Sequence, residues 1–278
     1  MPLHLAVGYG QDRCLQLLLE AGANTDKVDD NGRTPLHLAA TCSFIPCLQL
    51  LLEAGAKTDK VDDNGRTPLH IAGTYGTSSC LRLLLEAGAD KDKDKIDGDG
   101  NAPVHLALFP SREIYIDRGR AVERLRVLLE AGADKDKAAR DGRTPMHLAA
   151  SLKEAFCLGL LLEAGADTDK ADDAGNTPLH IAADASSRGS EVSLRCMELL
   201  LDAGADKEKA DNNGYTPLHR AAQRGSIAVL GLLLERGADT HARTKAGMTA
   251  LDLARRGEGR SLRQQQKVFM LTEFYDAP

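Results

Sequence analysis

The chain has 278 residues, with 35 Lys and Arg against 41 Asp and Glu, and its formal charge of −6 excludes the basic stripe that a broad nucleic-acid footprint needs. Its lysines alternate with aspartates, as in Lys57-Thr58-Asp59-Lys60, which reads as a solvated, self-neutralising edge. No run of about 18 apolar residues exists to cross a bilayer, and Met1 leads into a helical motif and not into a charged and apolar leader. The expectation is an intracellular, cytoplasmic protein, with the nucleus open to it, that inserts in no membrane.

In chain order, the first element is Met1-Pro2-Leu3-His4, and it returns throughout. Thr-Pro-Leu-His starts at Thr34, Thr67, Thr177 and Thr216, variants start at Ala102 and Thr144, and a degenerate Thr-Ala-Leu-Asp starts at Thr249. Most starts are 33 residues apart; the intervals after Thr67, Ala102 and Thr177 are 35, 42 and 39, which read as insertions of 2, 9 and 6 residues. A second motif, Leu-Leu-Leu-Glu-Ala-Gly-Ala or a near copy, closes each unit at Gly22, Gly55, Gly88, Gly132, Gly165, Gly204 and Gly237. Self-similarity at a fixed period outranks other sequence signals, including a length that alone suggests two globular domains.

The unit from Thr34 shows the elements. Thr34 is a helix cap and Pro35 sits at the first helical position, where its missing N–H costs nothing, so a short helix runs to about Thr41. A second helix starts near Ile45 and carries Cys47, Leu48, Leu50, Leu51 and Leu52, and Gly55 then takes the left-handed C-cap. The polar stretch 56–65 ends in Asn64-Gly65, a tight-turn signal. Helices this short are marginal alone, so each requires stacked neighbours, with small Ala39 and Ala40 allowing close approach.

With these motifs in register, residues 1 to about 260 resemble ankyrin repeat proteins. The resemblance implies an all-α fold, an ankyrin-repeat α-solenoid of seven helix-pair repeats and a C-terminal capping unit, with protein binding as the usual work. The units are about 1–33, 34–66, 67–101, 102–143, 144–176, 177–215, 216–248 and 249–260, and 261–278 forms a helical tail or cap. Asp252 replaces the motif His in the last unit and Arg255 and Arg256 follow, as suits a polar end; Met1 stands where Thr belongs, so the array is expected to be cut from a longer one.

Three residue classes invite a chemical reading and each has a blander one. Cys14, Cys47, Cys80, Cys157 and Cys196 each lie eight residues before a closing glycine, which makes a column on successive second helices. Packed helices stand about 8–10 Å apart and bridged Cα atoms at most about 7 Å, so the column reads as small buried hydrophobes, in the place where the family usually has valine. Cys42 is off the column and is the reactive candidate. His4, His37, His70, His105, His147, His180 and His219 share the fourth motif place, one repeat apart, and cannot converge on one ion or substrate. In this family that histidine bonds within the helix-start network. The stretch from Asp90 to Asn101 alternates carboxylates like a calcium loop, but Lys95 and Asn101 stand where glycine and glutamate belong. No phosphate loop, nucleophile elbow or His-Glu-x-x-His is present, so no enzyme, cofactor or metal is expected.

Partner-binding residues follow from the family's exposed, variable places around the hairpin turn and the end of the first helix. On this chain they include Arg33, Arg66, Tyr75, Arg143, Asn176, Tyr215, Gln223 and Arg224. Residues 28–37 and 61–70 are identical and carry little partner information, although they could bind something itself repetitive. Specificity is expected in the departures, above all the insertion from Leu108 to Ala121 with Phe109 and Tyr115, in a chain with five Phe, five Tyr and no Trp. Those rings either meet a partner or fold back on their own helices. The reading is a non-enzymatic scaffold for a protein partner on the concave hairpin and first-helix face. The alternative is the recognition or targeting subunit of an enzyme complex, such as a ubiquitin-ligase adaptor or a host-directed effector.

Overall fold

The computed structural model describes residues 1–41, 44–89, 93–109, 117–184, 191–256 and 262–275. Two compact units form, Met1–Arg140 and Asp141–Pro278, both helical, with no strand among the described residues. The first holds α1 (Pro2–Gly8) paired with α2 (Asp12–Glu20), α3 (Pro35–Thr41) with α4 (Ile45–Glu53), α5 (Pro68–Tyr75) with α6 (Ser78–Glu86), and α7 (Pro103–Leu106) with α8 (Asp117–Glu130). The second holds α9 (Pro145–Leu152) paired with α10 (Ala155–Glu163), α11 (Pro178–Ala183) with α12 (Glu191–Asp202), α13 (Pro217–Gln223) with α14 (Ile227–Glu235), then α15 (Ala250–Arg256) and α16 (Leu262–Tyr275).

Within each unit like helices stack on like. In the first unit α1, α3, α5 and α7 form one layer and α2, α4, α6 and α8 the other; in the second, α9, α11, α13 and α15 face α10, α12, α14 and α16. The core lies between the layers. Leu36, Leu48, Leu51, Leu69, Leu81 and Leu84 are fully buried, each contributing about 1.5–3 kcal/mol against solvent. Ala39, Ala40 and Ala72 are also fully buried, which is why the first helices can stack closely. Gly65 is required twice over at a hairpin tip: its φ is +72°, and a Cβ there would stand 2.9 Å from the Gly98 backbone nitrogen.

The cysteine column follows the expectation except at its first member. Cys47, Cys80, Cys157 and Cys196 are buried and in no disulfide, and burial pushes the Cys196 thiol up to about 11, with Glu154 adding to the shift. Cys14 is exposed, because α2 has a stacked neighbour, α4, on one side only. Cys42 lies outside the described residues.

The histidines join the repeats. His70 Nδ1 accepts the Thr67 backbone N–H at 3.2 Å and lies 2.8 Å from the Thr67 hydroxyl, so the ring proton is on Nε2, which donates to the Lys95 carbonyl at 2.9 Å. The same ring geometry caps α3 and links His37 to the Arg66 carbonyl at 2.9 Å. In the second unit His147, His180 and His219 reach the carbonyls of Asn176, Tyr215 and Met248 at 2.9, 2.8 and 3.2 Å. Each ring thus caps its own helix and holds the hairpin that closes its own repeat and leads into the next. Asp252, which replaces His in the last motif, keeps the first task alone, accepting from the Thr249 backbone and hydroxyl at 2.9 Å each.

Burial lowers the pKa of His37, His147, His180 and His219 and takes that of His70 down to about 4. An unfolded histidine takes up its proton near pH 6.5, so between about 6.5 and about 4 the unfolded chain binds a proton that the folded His70 refuses, and the other four rings act in the same direction below about 6.5. Stability is therefore full above that window and falls as the pH falls through it, by up to about 1.4 kcal/mol per pH unit for His70, with the other rings adding losses of the same sign. Urea midpoints at about pH 7.5 and about pH 4.5 check this, the second being expected much lower. Equal midpoints would mean that the rings protonate without loss of fold.

Candidate functional site

The hairpins are small rigid brackets. In the first unit the Asp62 carboxylate accepts the Asn64 and Arg66 backbone N–H groups at 2.9 Å each and the Arg66 side chain through Nε at 3.0 Å and Nη2 at 2.8 Å. Asp29 and Arg33 repeat this pairing, with Arg33 Nη2 at 2.8 Å. Burial raises the carboxyls of Asp29 and Asp62, but the hydrogen bonds from their arginines outweigh it and hold both below the usual carboxylate range. Successive tips are then tied edge to edge: the Asp63 N–H donates to the Asn31 carbonyl at 3.1 Å and the Gly98 N–H to that of Asn64 at 2.7 Å.

This places the residues expected from the sequence. Arg33 and Arg66 are half-exposed, with their guanidinium edges committed to their own hairpins. Tyr75 is 51% exposed at the end of α5, and Phe109 is 36% exposed just past α7. Tyr115 lies outside the described residues. Of the carboxylates singled out as calcium-like, two serve the backbone: Asp97 accepts the Asp99 and Asn101 N–H groups at 3.0 and 2.8 Å, and Asp94 accepts that of Asp134 at 2.7 Å; Asp90 and Asp92 lie outside the described residues.

The second unit brings more of the expected residues together. Asn176 donates to both Asp172 oxygens at 3.2 Å and accepts Arg220 Nη2 at 3.1 Å. Arg220 also pairs with Asp211, whose side chain is fully buried, and its guanidinium carbon lies 5.0 Å from the centre of the Tyr215 ring. Tyr215 meets His219 edge-on at 5.9 Å. One turn further along α13, Gln223 is exposed and Arg224 lies 3.6 Å from Asp184. Arg143 reaches the edge of this group, with its Nε 3.4 Å from Asp141 and 4.0 Å from Asp172.

Two arginines escaped the sequence reading. Arg220 stands in the motif place held by Leu38, Ile71, Leu148 and Ile181, and it supplies the cation that Asp29 and Asp62 receive from the residue before the motif, where this repeat has Tyr215. Arg124 takes the place of the column cysteine in the repeat with the long insertion; it is 1% exposed and donates to the Ala107 carbonyl at 3.4 Å. Both are departures from their registered column, and that was the signal available.

A profile of the family described as ankyrin repeats (3 copies) matches residues 3–97, 45–116, 113–208 and 185–262. The chain belongs to the ankyrin repeat family. Among solved structures it is similar to the ankyrin repeat domain of Bcl-3, described as a unique member of the IkappaB protein family, with a TM-score of 0.71 at 28% identity. That match covers 84% of this chain and 98% of the Bcl-3 domain. No curated protein matches the chain. The ankyrin fold is typical of protein–protein interaction scaffolds, and no helix among the described residues is long and apolar enough to cross a membrane.

The Asp211–Arg220 exchange has a measurable consequence. Arg220→Leu restores the aliphatic residue of the other repeats but leaves a buried carboxylate without its cation, and should cost about 1–3 kcal/mol. Adding Asp211→Asn should return part of that loss, giving a favourable coupling in a double-mutant cycle of denaturant melts. Additive losses would show that the two side chains act independently.

Proposed function

We propose that this ankyrin repeat chain is a non-enzymatic protein-interaction scaffold that holds a partner protein on the hairpin and first-helix side of its repeats, with the 108–121 insertion adding contacts. The observation that carries this reading is the arrangement around Tyr215. The aromatic ring lies beside Arg220, which is itself tied to Asp211 and Asn176, so the cluster is ordered before any partner arrives. Pre-ordered aromatic and Arg side chains lose little freedom on binding and are enriched among binding hot spots. Gln223 and Arg224, at the end of α13, extend the same surface, and the hairpins of this unit are joined by the Asn212 N–H to Ala174 carbonyl bond of 3.1 Å. The reading places the protein in the cytoplasm or nucleus, where cysteines outside disulfides persist.

Affinity purification with mass spectrometry tests it, comparing the intact protein with a Tyr215→Ala, Gln223→Ala, Arg224→Ala triple variant and with a deletion of 110–119. A protein partner should be retained by the intact chain and fall at least about tenfold with the triple variant, while the melting curve stays within a few degrees of the parent. Retention unchanged in both variants would contradict the reading. The recognition-arm alternative asks for something else: an enzyme subunit held through 261–278 and indifferent to the triple substitution.

A further inference from the structure

The helix pair α7 and α8 carries two larger core residues than the pairs before it. Leu108, 1% exposed, fills the place held by Ala40 and Gly73, and Arg124, also 1% exposed, fills that of Cys47 and Cys80. The first helix of this pair also ends early: α7 has 4 residues, against 7 in α3 and 8 in α5. The last carbonyls of a helix need donors from beyond its own ladder. In α5 the Ala72 carbonyl accepts the Gly76 N–H at 2.9 Å, and in the second unit Ala149 and Ala221 accept the Glu154 and Gly225 N–H groups at the same distance. Ala107 stands in that place after α7, and there Arg124 donates from α8, through Nη2 at 3.4 Å.

Past that carbonyl the backbone turns tightly, with the Leu108 N–H donating to the His105 carbonyl at 3.1 Å and the Phe109 N–H to that of Leu106 at 3.2 Å. Leu108 is thereby anchored in the core, and the next ring, Phe109, comes out at the surface. Because α5 and α7 stack, Phe109 and the exposed Tyr75 finish neighbouring helices. A guanidinium is costly to bury, and a thiol fills the same place in other repeats, so packing alone gives no reason for an arginine here. We propose that Arg124 is a positioning residue for recognition: its bond to the Ala107 carbonyl holds the turn 107–109 and so fixes the place from which Phe109 meets the partner protein. This rests on the scaffold reading, in which residues of the insertion add contacts to that partner.

Two variants of the full chain remove the donor in different ways: Arg124→Met keeps an apolar stem, and Arg124→Cys restores the residue found at Cys47 and Cys80. Amide hydrogen exchange of the free protein, read by NMR, needs no partner. The Leu108 and Phe109 N–H groups should exchange at least about tenfold faster in both variants, with those of α3 and α4 unchanged. Retention of the protein recovered by affinity purification on the intact chain should fall as far as it does with Phe109→Ala. It should fall no further when Phe109→Ala is combined with either variant, because both act through one ring, whereas a general loss of fold would add to the effect of Phe109→Ala. Unchanged exchange at Leu108 and Phe109, retention at the parental level where Phe109→Ala lowers it, or losses that add in full would each overturn the proposal. Phe109→Ala without effect on retention would overturn the reading of the insertion itself, and the proposal with it.

Discussion

A hairpin that hangs off a pair of short helices has backbone groups that neither helix can satisfy, and buried polar groups without partners are costly. The repeated histidine meets that constraint. Its two nitrogens face opposite ways, one to the Thr N–H that opens its own helix and the other to a carbonyl of the following hairpin, as in His147 between Thr144 and Asn176. A neutral ring in one tautomer is the common side chain that accepts at one end and donates at the other at this span. Leucine burial supplies most of the free energy, but it is not directional; the histidine sets the angle and register at which one repeat sits on the next.

Once the hairpins are fixed, side chains at their edges acquire fixed positions too. Asp62 with Arg66 and Asp211 with Arg220 solve one electrostatic problem, a carboxylate folded into a turn, by two routes. The first occupies the residue before the motif with a structural arginine. The second moves the cation onto the helix and leaves that place to Tyr215. Variation in the scaffold therefore creates room for a recognition side chain without loosening the turn, which links the packing of α13 to the function proposed for its surface.

Much of this was legible in the sequence because the motif is local. Thr34 and Pro35 start α3, Ile45 starts α4 and Gly55 ends it at φ +79°, all within a few residues of the signals that announced them. The second bond of each histidine was not legible, since its partner lies 29 residues away for His37 and is brought near by stacking alone. The commitment of Arg33 and Arg66 to Asp29 and Asp62 was hidden for another reason: identical hairpins look equally exposed as strings, and a pairing four residues apart across a turn depends on its φ angles. Cys14 departed from its column because a registered position does not guarantee a neighbour on both sides. Arg220 and Arg124 were visible as letters; their roles depended on which buried groups they meet.

The account stands or falls on the histidine bridge, and nitrogen NMR of histidine-labelled protein observes it directly. His37, His70, His105, His147, His180 and His219 should each show a bare Nδ1 and a protonated Nε2 whose proton exchanges slowly with water, in a single tautomer at neutral pH. The His70 signals should hold that pattern until the pH nears about 4. Rings that average between tautomers, or that protonate together near about pH 6.5 with the fold intact, would contradict it.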